Sequence, residues 1–184
     1  MKKLRLLLLD ANVVIGPFSL GLWDRVAADC EVFVAETVVS EAKYYEAKDG
    51  SGAQRAIDLA RRVRADQIQM VKIGTPGLDA FLAQFDPVYL EKLDPGETES
   101  LAHLLAQKDV WVLCSADAIV FRVLAHVRRE DQGLSLEEVL RKIGLTKKLA
   151  YRFTAEFRDR YTRQGKQEMI RGIGRKDKGW GSTP

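Results

Sequence analysis

The 184-residue chain contains only two cysteines, Cys30 and Cys114. Two thiols cannot build a disulfide framework and fall short of a zinc site. Both lie in or beside apolar runs, so reduced core thiols in a cytoplasmic protein are expected. Long hydrophobic runs are missing too: Leu6 to Leu9, the longest early one, is far too short to span a bilayer. Lys2, Lys3 and Arg5 precede it as in a signal peptide, but Asp10 interrupts it and no small-residue cleavage site follows, which argues against secretion. The chain also lacks a phosphate loop, because Gly172 and Gly174 follow no strand and precede no helix. The only histidines, His103 and His126, fall within expected helices, where packing or surface roles outweigh a general-base role. No repeat or low-complexity segment interrupts the chain.

What is present is a globular balance, 46% hydrophobic and 30% charged residues, at a length that suits one ordinary domain with a sizeable core. The net charge of +3 hides an asymmetry. Residues 1–127 hold 14 Lys/Arg against 18 Asp/Glu, whereas residues 128–184 hold 15 against 8. An acidic body with a basic tail points to a polyanion as partner of the tail.

The apolar run Leu4–Leu9, followed by Asn12 and Gly16-Pro17, reads as a strand buried on both faces. A short helix is expected near Leu20–Ala28 and a second strand at Glu31–Ala35. Thr37 then caps a helix through Val38, Val39, Ala42 and Tyr45. After a loop at Lys48–Gly52, Ala53, Ala56, Ile57, Ala60 and Val63 recur at helical spacing. Ile68–Ile73 reads as a third strand and Leu78–Phe85 as a helix. Asp94-Pro95-Gly96-Glu97 marks a capping box before Leu101, Leu104 and Leu105. Val110–Cys114 is the fourth strand, and Asp117–Val127 a helix apolar almost all round. This alternation predicts an α/β fold, three layers α/β/α around a central, mainly parallel sheet of four or five strands.

Residues 1–130 are expected to form that domain, and residues 131–184 a helical, basic C-terminal extension with a flexible end. Within it, Ser135 to Glu138 form a second capping box and Gly144 a stop. A helix from about Lys147 to Tyr161 aligns Leu149, Phe153, Phe157 and Tyr161. From Gly165 on, apolar periodicity is lost, which predicts flexibility. No convincing fifth strand is seen, only Gly133-Leu134.

Ligand sites in parallel α/β sheets lie outside the carboxyl ends of the strands. Asp10 follows the first strand and Asp117 the fourth; Glu41 is expected in the first turns of the helix after strand two, and Glu99 early in the helix before strand four. Four carboxylates gathered there repel one another unless a hard cation is bound, and oxygen-only ligation suits Mg²⁺ or Mn²⁺. Taken singly, each acid has a structural explanation in a turn or cap. Glu97 has its capping-box role, so Glu99 is the preferred ligand and Glu97 its substitute.

The segments Leu7-Leu-Leu-Asp10-Ala-Asn12, Val38-Val-Ser-Glu41, Gly96-Glu97-Thr-Glu99-Ser and Leu113-Cys-Ser115-Ala-Asp117 resemble, in order, the four motifs of PIN domains over roughly residues 4–127. The resemblance implies a metal-dependent endoribonuclease, found among toxins of toxin–antitoxin pairs and in RNA processing. Its acidic cluster maps onto Asp10, Glu41, Glu99 or Glu97, and Asp117, with Asn12 and Ser115 at the neighbouring polar positions. It also implies a homodimer and, for toxins, an antitoxin partner. The doubled third acid and the long extension depart from the compact toxins and weaken that role more than the nuclease one.

The matching chemistry is metal-assisted phosphodiester hydrolysis, with Asp10 and Asp117 holding the metal and Glu41 and Glu99 completing its shell or orienting the water. Single-stranded RNA is the favoured substrate and DNA the fallback; a nucleic-acid-binding module with weak or no catalysis is the alternative. A haloacid-dehalogenase-type phosphotransferase fits less well, because position 12 is Asn rather than an acid. In the tail, Arg152, Arg158, Arg160, Arg163, Lys166, Arg171, Arg175 and Lys176 are candidate RNA-phosphate contacts. Trp180 is a candidate base-stacking residue.

Overall fold

The computed structural model describes residues 3–8, 10–47, 52–108 and 110–176. Trp180 and most of the expected loop at Lys48–Gly52 lie outside the described residues. Along the chain run β1 (Leu4–Leu8), α1 (Ala11–Ser19), α2 (Trp23–Asp29), β2 (Cys30–Ala35), α3 (Glu36–Glu41), β3 (Tyr44–Glu46), β4 (Gln54–Ala56) and α4 (Leu59–Arg64). They are followed by β5 (Gln69–Val71), α5 (Thr75–Leu82), α6 (Pro87–Leu90), α7 (Pro95–Ala106), β6 (Val112–Cys114) and α8 (Ala118–His126). The last elements are β7 (Gly133–Leu134), α9 (Leu136–Lys142) and α10 (Ala155–Ile170).

Five strands form one all-parallel sheet in the order β5-β2-β1-β6-β7. Side chains alternate across it, as the period of a strand requires. Leu6, Leu8, Val32, Val34 and Cys114 pack on one face with α1, α2, α3, α4 and α9. Leu7, Phe33 and Leu113 pack on the other with α5, α7, α8 and α10. The fold is α/β with helices on both faces of a central parallel sheet. Both cysteines are buried free thiols. Among the described residues no helix is long and apolar enough to cross a membrane.

Several local expectations are corrected. The first helix begins at Ala11, because the Asp10 side chain accepts from the Val13 N–H at 3.0 Å and caps it; Gly16 and Pro17 lie inside this helix. The helix expected from Thr37 to Tyr45 ends at Glu41, and the β-prone pair Tyr44-Tyr45 enters a hairpin, with Tyr45 paired to Arg55. That hairpin also takes Gln54–Ala56 out of the expected helix, which starts instead after Asp58, the residue that caps α4. Gly133-Leu134 is the fifth strand, short because it pairs only with Leu113 and Cys114 at the sheet edge.

The helix expected at Lys147–Tyr161 starts at Ala155, where Thr154 caps the Phe157 N–H. Its expected apolar row is divided between the two cores: Leu149 and Phe153 pack on one face of the sheet, Phe157 and Tyr161 on the other. The helix continues through Gly165 to Ile170, so residues 165–170 are ordered helix rather than a flexible end. A Cβ at Gly165 would lie 2.6 Å from the Arg122 backbone, so only glycine lets α10 approach α8 this closely. Beyond the helix, the Gly174 carbonyl accepts from the Asp86 N–H, and Arg175 bridges to Phe85.

Candidate active site

Strand order reverses direction around β1: the chain moves from β1 to β2 and β5 on one side, then returns to β6 and β7 on the other. The crevice outside the carboxyl ends of β1 and β6 is therefore the switch point where open α/β sheets bind ligands. Asp10 follows β1 and Asp117 follows β6, so both acids stand at this crevice, each as the N-cap of the next helix.

Ser115 joins them. Its hydroxyl donates to Asp10 Oδ2 at 3.4 Å and accepts from the Asp117 N–H at 2.9 Å. The Ala116 N–H donates to the same Asp10 oxygen at 3.3 Å. Asp117 in turn accepts from the Ile119 N–H at 3.0 Å. Asp10 is 6% exposed. Burial pushes its carboxyl above the ordinary carboxylate range, against the lowering effect of its backbone donors, and the charge of Asp117 adds to the rise.

The third acid at this crevice is Glu97. The capping box at Asp94 forms as the sequence indicates: Asp94 accepts from the Glu97 N–H at 2.7 Å, and Glu97 Oε2 accepts from the Asp94 N–H at 3.2 Å. The same side chain is 2% exposed. Burial first, then the charges of Asp117 and Asp94, push it up to about 9, with Asp10 contributing in the same direction. What holds the helix start here is a close approach. A Cβ at Gly96 would lie 2.8 Å from Thr37 Oγ1, so glycine lets the first turn of α7 meet α3.

Glu99 is only part-buried and accepts from the Thr37 hydroxyl at 3.4 Å, on the β2 side of the crevice. Thr37 had only a capping role in the sequence; a hydroxyl just past the end of a strand is the feature that marks it. Glu41 lies at the C-terminal end of α3 rather than in its first turns, because α3 is only six residues long, and it is exposed. Among the described residues no hydrogen bond links it to the other acids. Asn12 accepts from Arg152 Nη2 at 3.0 Å, which brings one tail cation to the edge of the crevice.

Among the described residues, no three Asp, Glu, His or Cys side chains stand close enough together to hold a cation as they are placed. In chemistry the donor set fits a hard cation. It is oxygen-only, two of its members are buried, and among the described residues no lysine or arginine is paired with Asp10, Glu97 or Asp117.

The eight tail cations separate into groups. Arg158 holds Glu138 through two bonds of 2.6 and 2.9 Å, and Lys166 holds Glu130 at 2.8 Å. Arg175 donates to the His126 carbonyl at 3.1 Å. Arg160 lies over Tyr161, and Arg163 bonds the Asp159 carbonyl within its own helix; both are exposed, as are Arg152, Arg171 and Lys176.

Comparison of the chain with family models, curated proteins and solved structures gave no match.

Proposed function

We propose that the chain is a divalent-metal-dependent endoribonuclease of the kind its motifs resemble, acting at the crevice where Asp10, Glu97 and Asp117 meet. The observation that carries this reading is electrostatic. Two buried acids and a third charge repel one another at a switch-point crevice, and among the described residues no basic side chain is paired with them. A structural role would be served better by a neutral residue. Asp10, Asp117 and Glu97 would hold Mg²⁺ or Mn²⁺, with Glu99 at the border. Such a cation supplies charge neutralisation at the phosphate and a water of lowered pKa.

The protein's own groups do the positioning. Ser115 fixes the spacing of Asp10 and Asp117, and the capping bond from Asp94 fixes the Glu97 carboxylate. Hydrolysis adds water oxygen to phosphorus and breaks one P–O ester bond, leaving a phosphate on one fragment and a hydroxyl on the other. The electrostatics favour Glu97 over Glu99 as the third acid. A second reading, a nucleic-acid-binding module with weak or no catalysis, draws on the spacing of the acids, which falls short of a ready-made cation site.

Digestion of mixed RNAs with and without Mn²⁺ separates the two. Cleavage should depend on the cation, and Asp117→Asn, which keeps the cap, should reduce it by more than about 100-fold, beyond the usual loss for an outer-shell change. Glu97→Gln should cost more activity than Glu99→Gln. Cation-independent binding without cleavage selects the module. Wild-type cleavage by Asp117→Asn removes the crevice from the chemistry.

A further inference from the structure

The opposite end of α8 from Asp117 carries a second polar centre that the nuclease reading does not use. A cavity of about 740 Å³ opens there, lined by His126, Arg128, Arg175, Lys176, Gln84 and Phe85 among others. This size lies within the range of small-molecule sites. Three of these residues are cations and none is a carboxylate.

None of the three cations has a carboxylate partner among the described residues. Arg175 donates to a backbone carbonyl, that of His126. The nearby acid that feels Arg128, Glu130, is already held by Lys166 at 2.8 Å. Glu168 is likewise taken, by Arg122 at 2.9 Å, Tyr89 at 2.8 Å and Gln164 at 2.9 Å.

His126 underlies this lining. It is 1% exposed, and neither ring nitrogen has a hydrogen-bond partner. Its nearest carboxylate oxygen, on Glu168, is 3.9 Å away, too far for a hydrogen bond. Its side chain has no exposed surface and packs on Phe85 and Tyr89, so the ring lies beneath the cavity and does not reach a ligand in it.

Arg128 adds a backbone observation. It sits at φ 58°, just past the end of α8, in a left-handed position that glycine or asparagine fills at lower cost. Its N–H and that of Arg129 close the helix on the Ala125 and Leu124 carbonyls. With the His126 carbonyl held by Arg175, these helix-end acceptors are occupied, and an anion here relies on the three cations to offset the negative end of the α8 dipole.

We propose that this cavity binds a phosphate ester of mononucleotide size, its phosphate held by Arg128, Arg175 and Lys176. The proposal is independent of the acidic crevice.

Calorimetric titration of the full chain at low salt with 5′-AMP, adenosine and inorganic phosphate tests it. AMP should bind with Kd below about 1 mM, phosphate should compete with it, and adenosine should not bind in that range. Arg128→Gly relieves the backbone and should stay folded, while weakening AMP about tenfold or more through loss of a charge-assisted contact. Asp117→Asn should leave AMP binding unchanged, which separates this site from the crevice. No AMP binding in that range, equal binding of adenosine, undiminished binding by Arg128→Gly, or loss of binding in Asp117→Asn would each overturn the proposal.

Discussion

At the residue scale, the one carboxylate of Glu97 serves both a helix cap and a repulsive cluster. Its folded pKa of about 9 stands above its ordinary value of 4.5, so the folded state holds a proton that the unfolded state releases between those values. Stability contributed in this way is complete below about 4.5 and is lost as pH rises toward 9. His103 and His126, held below their ordinary value by burial, act in the opposite sense up to about pH 6.5. Cys30 and Cys114, pushed up by burial, act in the same sense as Glu97 from about pH 8 upward, so the clean window is about pH 7–8. Without divalent cations, the melting temperature should fall across it, and Glu97→Gln should flatten that fall and melt higher at pH 9. An equal slope in both proteins would mean that Glu97 ionises freely. The capping box was legible in Asp94-Pro95-Gly96-Glu97. That the same side chain also feels Asp117 was not legible, because it depends on how closely Gly96 lets α7 approach Thr37.

At the scale of elements, the sequence indicates four of the five strands of the sheet, since short β-rich runs between turn residues are local features; β7 escapes because its two residues, Gly133 and Leu134, make no such run. It fails at residues 37–64 and 147–170 for one shared reason. Helical spacing there is real, but a partner overrides it: the Tyr44–Ala56 hairpin in the first case, the division of one apolar row between two sheet faces in the second. The α8–α10 contact shows the same dependence. An exposed helical glycine would gain up to about 1 kcal/mol on change to alanine. At Gly165 a Cβ would instead meet the Arg122 Cα and carbonyl oxygen at 2.6 Å, and backbone cannot rotate away. Gly165→Ala should thus destabilise, by about 1–3 kcal/mol, as overpacking does. A chain of this size should then melt lower by roughly 2–4 °C per kcal/mol, measured by circular dichroism. A rise in melting temperature would show that the two helices separate easily.

At the scale of the whole molecule, the charge asymmetry is legible from composition alone, but its reading changes once the tail is placed. Sequence alone makes residues 165–184 a removable, RNA-binding end. In the structure Glu168 receives Arg122 and Tyr89, with both members of the Arg122–Glu168 pair largely buried, and Gly174 packs against Tyr89. Deleting residues 165–184 leaves Arg122 unpaired, a loss of about 3 kcal/mol before any packing is counted. The melting temperature should fall by many degrees, and RNA affinity lost by this deletion would not report on phosphate contacts. Neutralising exposed cations that take part in no ion pair among the described residues answers the question directly. Arg160, Arg163 and Arg171 to Gln should leave the melting temperature nearly unchanged. If each meets one phosphate of a single strand, the slope of log affinity against log salt should flatten by about 0.7 per residue, or about 2 in all. An unchanged slope in this triple variant, measured on an intact fold, would mean that the tail's charge serves the solvent and not RNA.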